Sequence, residues 1–365
     1  MVETLGSTFL TTGPRTRAFE AQLQEYLGVR NAIGVSSWTM GAFITLKALG
    51  IEPGDEVITT PMTFISSANV IVHCGASPVF VDVEPSTGNI DPALIEAAIT
   101  ERTKAILPVH LYGQLVDMQA ISEVARSHDL KVIEDSAHCV EGSRDGYVPG
   151  SLGDAAVFSF YATKNITSGE GGAIVTNDDE LAQRLFKYRL HGMSAGVEDR
   201  YHSTYRHWDM ELLGFKANMS DVQAALLGTQ LSRLDETLRR KEEICATYEA
   251  AFAESPYVEI SRPVEGSVHA RHIFTIRVLP EIRDELLAAL QDSEIGVAVN
   301  FRAIHLLSYY RDSFGFERGA FPVAEKFGDS TITLPMYPKL HDDQIQFVID
   351  TVLREAERLS TKVGS

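Results

Sequence analysis

Cysteine is scarce in this chain. Its 365 residues include three, Cys74, Cys139 and Cys245. An odd count without CxxC spacing predicts neither a disulfide framework nor a zinc site. Positive charge is also short: 32 Lys and Arg stand against 50 Asp and Glu, a formal net charge of -18. That balance argues against nucleic acid or an anionic membrane as the main partner, since both want a basic surface. A phosphorylated small ligand stays compatible, because a helix start can hold a phosphate on backbone N–H groups. No apolar run approaches ~18 residues, so no membrane span is expected. The opening MVETLGSTFLTTGP has no basic segment and no long apolar stretch, so no signal peptide is expected either. The expected location is therefore the cytoplasm. No GxGxxG follows the first strand, and no GxxxxGK[ST] occurs. The 11 His, His202 and His207 among them, form no HExxH or HxH. The dipeptide His138-Cys139 could supply ligands, but no metal is expected.

What is present is an ordinary globular composition, 44% hydrophobic and 22% charged. The length suits one large and one smaller domain. Strands are predicted at 32–35, 56–60, 78–83, 104–109, 130–134, 155–160 and 173–176. Helices are predicted at 15–27, from the turn at 36–39 through 49, and at 64–74, 91–99 and 118–128. This alternation means βαβ units and an α/β fold: a mostly parallel seven-stranded sheet flanked by helices. Residues 192–217 are polar and aromatic without a period, which suits a functional or interface loop. Residues 221–252 carry one long helical pattern, and the domain change is placed there, giving 1–240 and 241–365. The second unit is read as a smaller α+β domain, with strands at 273–278 and 296–299 and helices at 282–290 and from 342.

Ligands of such sheets bind outside the carboxyl ends of the strands. Asp135, Ser159 and the 36–39 turn fall there. The stretch GDAAVFSFYATKNITSGEGG places Ser159 at a strand end and Lys164 in the following loop. Taken alone, Lys164 reads as a surface residue in a hairpin, because most Lys stay solvated. Glu134 and Asp135 are two acids at one strand end, one of them read as solvated or capping. Asp135 is the one nearer the crevice, with His138 three residues on. Phe64 could stack on a planar ligand or simply pack in the core. Ser159 and the N–H groups opening the helix at Trp38 could hold a phosphate. Together these are the parts pyridoxal 5'-phosphate requires: an amine, an acid for the pyridine nitrogen and a phosphate cradle.

The chain resembles the DegT/DnrJ/EryC1/StrS sugar aminotransferases, vitamin B6 enzymes of the aspartate-aminotransferase fold. The matching stretches include LTTGPRTRAFE, ALGIEPGDEVITTPMTFISSAN, VIEDSAH, GSLGDAAVFSFYATKNITSGEGGAIVT, GFKANMSDVQAAL and FPVAEKFGDSTITLPMYP, spread from residue 10 to about 353. The resemblance implies that Lys164 forms the Schiff base and that Asp135 holds the pyridine nitrogen. His138 would lie near the phenolic oxygen and Phe64 on the ring. Ser159 would bind the phosphate with the backbone N–H groups of Trp38 and Thr39. Asn218 would reach the phosphate of a neighbouring subunit, so a homodimer with shared sites is implied. His305 would contact substrate. The implied reaction is amination of a nucleotide-linked ketosugar with glutamate as donor. RLHGM and GFKANM lean towards a 4-keto-6-deoxyhexose, while a 3-ketosugar or a cyclitol ketone is the alternative. A related sugar 3-dehydratase carries His in place of the Lys, and a regulatory relative would be non-catalytic. Lys164 argues against the first, and retention of Lys164, Asp135, Ser159 and Asn218 against the second.

Some positions depart from the family pattern. Trp38 and Met40 replace small residues of the SSGTA turn, and Trp38 is expected to lean over the cofactor or narrow the sugar pocket. Ala217 stands where an aromatic is common. Asn300 fills a position often held by His. A leading segment usual in the family is expected to be short or absent.

Overall fold

A computed structural model describes residues 1–194 and 207–363. The loop expected over 192–217 therefore lies partly outside the described residues, as does His202.

Seven strands form one sheet: β1 (Asn31–Val35), β2 (Glu56–Thr59), β3 (Ser77–Phe80), β4 (Thr103–Leu107), β5 (Lys131–Asp135), β6 (Ala155–Ser159) and β7 (Gly172–Thr176). Their order is β1-β7-β6-β5-β4-β2-β3. Strands β2 to β6 pair in parallel. β7 runs antiparallel to both β1 and β6. Every residue of β6 is buried, as a strand covered on both faces requires, and this explains its continuous apolar run.

Helices cover the sheet: α1 (Pro14–Leu27), α2 (Trp38–Ala48), α3 (Ser66–His73), α4 (Met118–Ser127), α5 (Asp179–Tyr188) and α6 (Asp221–Leu231). α1 buries Phe19, Leu23 and Leu27, one stripe at a spacing of four, and stops at Gly28 in the left-handed conformation. Its first N–H groups have no partner within the helix. The buried carboxylate of Asp221, at the start of α6, accepts from the N–H groups of Gly13 (2.8 Å), Arg15 (3.0 Å) and Thr16 (2.9 Å). α6 thus caps the helix it packs against. α2 buries Ile44, Leu46 and Ala48 in the main core. Each large aliphatic residue so buried contributes about 1.5–3 kcal/mol.

The second unit contains α7 (Leu234–Phe252), β8 (Glu259–Ile260), β9 (Phe274–Arg277), α8 (Pro280–Asp292), α9 (Pro322–Ser330), β10 (Thr331–Leu334) and α10 (Asp342–Val363). Its antiparallel sheet has the order β10-β9-β8. Leu234, opening α7, joins a core of the large unit, whereas Ile244, Tyr248 and Phe252 join that of the second. We propose the division into 1–240 and 241–365 inside this helix. No described helix is long and apolar enough to cross a membrane.

Four expectations need correction. Residues 91–99 make two 3-10 turns, Pro92–Leu94 and Glu96–Ala98. Asp91 does cap, accepting from the Ala93 N–H, but the segment is too short to propagate an α-helix. The pattern over 221–252 is two helices, α6 and α7. The strand at 296–299 is a single bridge, Ala298 to Thr333; the chain then turns towards the cavity described below. Phe64 precedes α3 rather than opening it.

Candidate active site

A cavity of about 540 Å³ opens beside the carboxyl ends of β5 and β6, where Asp135 and Ser159 both line it. The alternation of a strand separates the two acids of β5. Glu134 is turned away and fully buried, neither solvated nor a capping residue. It accepts from the N–H groups of Gly150 (3.0 Å) and Gly153 (3.1 Å), with His110 Nε2 at 2.9 Å. Asp135 faces the cavity. Its Oδ2 accepts from Ser67 Oγ at 2.7 Å, and its Oδ1 from the Ala137 N–H at 3.1 Å. Two bonds on two oxygens fix the carboxylate and leave lone pairs for a further donor.

Lys164 lines the same cavity. Burial pulls its amine down from 10.5 to about 8, and the Asp135 carboxylate resists that. Burial also pushes the Asp135 carboxyl up, while Ser67, the Ala137 N–H and the Lys164 charge pull it back. Lys164 is thus a base poised near neutral pH, as an imine-forming and proton-moving amine must be. His138 lines the cavity too. Burial holds its ring neutral, and the Lys164 charge adds to this. Its Nδ1 accepts from the Tyr112 N–H at 3.3 Å.

The opposite wall is the start of α2. Ser37 caps it, its Oγ accepting from the Met40 N–H at 3.2 Å. That leaves the Trp38 and Thr39 N–H groups without helical acceptors. Ser159 Oγ accepts from the Tyr161 N–H at 3.4 Å and keeps its own proton to donate. Strand β7 runs hard against this turn. A Cβ on Gly172 would sit 2.7 Å from the carbonyl carbon of Ser37 and the nitrogen of Trp38. Only glycine permits that approach, so the GEGG run shapes the cradle.

The structure places the remaining expected residues less uniformly. Phe64 lines the cavity and is 53% exposed, so it is not a core residue; its ring lies 6.0 Å from that of Phe301. Trp38 lines the cavity, but its indole is buried, with Nε1 donating to the Val157 carbonyl at 3.1 Å, because a ring N–H in a core needs an acceptor. His305 is not brought to the cavity. It is fully buried, with Nε2 3.0 Å from Glu325 Oε1. Asn300, from the same stretch, lines the cavity instead. Asn218 lies outside the cavity of its own chain; it donates to Thr12 Oγ1 at 2.6 Å and accepts from Lys216 Nζ at 2.6 Å. Sequence reasoning missed Ser67, His272 and Phe301, which also line the cavity. Ser67 lies one helical turn beyond Phe64, a spacing that puts both on one face. No sequence signal marked His272, which enters from the second unit.

These residues fit pyridoxal 5'-phosphate on their own chemistry. They offer a buried amine near neutrality, a fixed carboxylate across from it, and a helix start with a hydroxyl beside it. Fold and site together define a pyridoxal-phosphate-dependent aminotransferase. The chain is similar to three proteins of related description. Spore coat polysaccharide biosynthesis protein SpsC of Bacillus subtilis (strain 168) is 44% identical, over 96% of this chain and 92% of its own length. DesV of S. venezuelae, solved with a ketimine intermediate, is 36% identical with a TM-score of 0.90, over 98% and 93% of the two chains. Spr1654 of Streptococcus pneumoniae, solved in its PMP form, is 31% identical with a TM-score of 0.93, over 98% and 96%. The profile of the DegT/DnrJ/EryC1/StrS aminotransferase family matches residues 1–353, and the chain belongs to that family.

Proposed function

We propose that this enzyme moves an amino group from glutamate to the keto carbon of a nucleotide-linked 4-keto-6-deoxyhexose. The observation that carries the reading is the Lys164 amine, held to about 8 by burial across the cavity from Asp135. The walls suit a hydroxyl-rich ligand: Ser37, Thr39, Thr63, Ser66, Thr163 and Asn300 all line the cavity.

Pyridoxal 5'-phosphate, when bound, supplies an aldehyde for an amine and an electron sink for the carbanion. Asp135 would hold its ring nitrogen and Phe64 its ring. Ser159 and the N–H groups of Trp38 and Thr39 would hold the phosphate, and His138 would lie beside the phenolic oxygen. Lys164 would do the proton work: its Nζ, a base near neutral pH, would take a proton from the α-carbon of the amino acid in the first half-reaction and deliver one to the former keto carbon of the sugar in the second. Burial excludes the water that would compete for that proton. Asn218, half-buried and outside the cavity of its own chain, would reach the phosphate of a second subunit, so the working form is read as a homodimer.

The test is a panel of UDP-, dTDP- and GDP-linked 3-keto and 4-keto sugars, and a cyclitol ketone, with glutamate as donor. Mass spectrometry should show an aminated 4-ketosugar and an equal amount of 2-oxoglutarate. Amination of only the 3-ketosugars or the cyclitol would overturn the substrate assignment.

A further inference from the structure

Next to Lys164 lies a buried polar cluster that the reaction above does not use. Asn165 is its centre. Its Nδ2 donates to the Glu141 carboxylate and to the Ala270 carbonyl at 2.8 Å. Its Oδ1 accepts from Lys241 Nζ at 2.6 Å. Glu141 and Lys241 are both buried. This arrangement fixes the amide's orientation. Turned over, the NH2 would face an ammonium, and the oxygen would face a carboxylate and a carbonyl. The atom 3.4 Å from His272 Nδ1 is therefore an acceptor, Asn165 Oδ1. Nδ1 must then carry the proton.

His272 is neutral. Burial holds it well below the usual histidine value, and the charges of Lys164, Lys241 and His269 push the same way. A neutral imidazole has one N–H, so Nε2 keeps a lone pair. His138 has the reverse assignment, because its Nδ1 accepts from the Tyr112 N–H and its proton must be on Nε2. The two rings stack at 4.3 Å with an interplanar angle of 17°, and both line the cavity. One offers a donor and the other an acceptor.

We propose that His272 orients the sugar substrate by accepting a hydrogen bond from one of its hydroxyls at Nε2, and that Asn165, clamped between Lys241 and Glu141, is the positioning residue that fixes the required tautomer. The hydroxyl assignment rests on the ketosugar reading above; the tautomer assignment does not.

Nitrogen NMR of the cofactor-loaded enzyme, labelled with 15N-histidine, tests the tautomers. His272→Phe and His138→Gln assign the signals. His272 should show a protonated Nδ1 and a bare Nε2, and His138 the reverse. A His272 protonated at Nε2, or at both nitrogens, overturns the proposal. Asn165→Ala should shift the His272 signals towards a mixture of tautomers, and unchanged signals would remove Asn165 from its role. Lys241→Gln keeps a donor to Oδ1 and should leave the tautomer in place, so it serves if Asn165→Ala does not fold. A tautomer lost in Lys241→Gln counts against the clamp. Single-turnover half-reactions test the substrate role. His272→Phe keeps the stacked ring. It should slow the ketosugar half-reaction about tenfold or more and leave the glutamate half-reaction unchanged. Equal loss in both, or loss in neither, overturns it. If the wild-type enzyme aminates no ketosugar, the proposed function fails while the tautomer result stands.

Discussion

The floor and the rim of the cavity are built on opposite terms. On the floor, Asp135 is buried and bonded to Ser67 and the Ala137 N–H, and His138 is bonded to Tyr112. Each polar group there is held by another, which is the condition for keeping it in a low-dielectric site. At the rim, Phe64 is 53% exposed and Tyr161 48%, and the ring of Phe64 rests against that of Phe301. The floor's groups serve chemistry that every substrate shares. The rim can change its side chains without disturbing the floor, and specificity for the sugar is expected there. A substitution on the floor should therefore cut the rate for every substrate, whereas one at the rim should re-rank substrates.

The largest break is Lys164→Ala. Turnover should fall to background in both half-reactions, and the visible absorption of the lysine-bound cofactor should vanish even when cofactor is added. Retained transaminase activity would remove Lys164 from its role.

Asp135→Asn comes next. It keeps the size and an oxygen for Ser67 but loses the charge that holds a protonated ring nitrogen. A loss of about 10²- to 10⁴-fold in kcat is expected, similar for different ketosugars, since electrostatic stabilisation of this kind is usually a large term. A loss confined to one sugar would place Asp135 at the rim in function.

Phe64→Leu tests the rim. It should slow both half-reactions through the cofactor ring and, beyond that shared loss, change kcat/KM unevenly, by roughly tenfold, across a panel of nucleotide sugars. An even loss across the panel and in both half-reactions would mean that Phe64 serves only the cofactor.

The floor was legible in the sequence because its residues sit at strand ends within short stretches: Asp135 and His138 in VIEDSAH, Ser159 and Lys164 in FSFYATK. The α/β alternation gave the seven strands for the same reason, since buried parallel strands are continuous apolar runs. Strands β8 and β10 escaped because two to four residues at the edge of a small sheet carry too little periodicity. His272 and Asn300 reach the cavity only after the second unit packs onto the first, and no local pattern encodes that. His305 misled because a buried His paired with Glu325 and a substrate-facing His look alike in one sequence. At Trp38 the sequence did not show that the indole turns inwards to an acceptor, the Val157 carbonyl, while the residue still lines the cavity.

The smallest expected effect is that of Ser67→Ala, and it discriminates best between a floor that is merely packed and one that is electrostatically tuned. Ser67 donates to Asp135 at 2.7 Å and pulls its carboxyl down against the upward push of burial. Without the hydroxyl the carboxyl titrates at higher pH. Asp135 works ionised, so the acid limb of the kcat/KM profile should move towards neutrality. On the alkaline side of that limb, where the carboxyl is ionised in both, the variant should match the wild type. On the acid limb it should fall behind by about threefold to tenfold, within the range for a hydrogen bond to a charged group. A profile lowered equally at every pH would mean that Ser67 packs against Asp135 without tuning it.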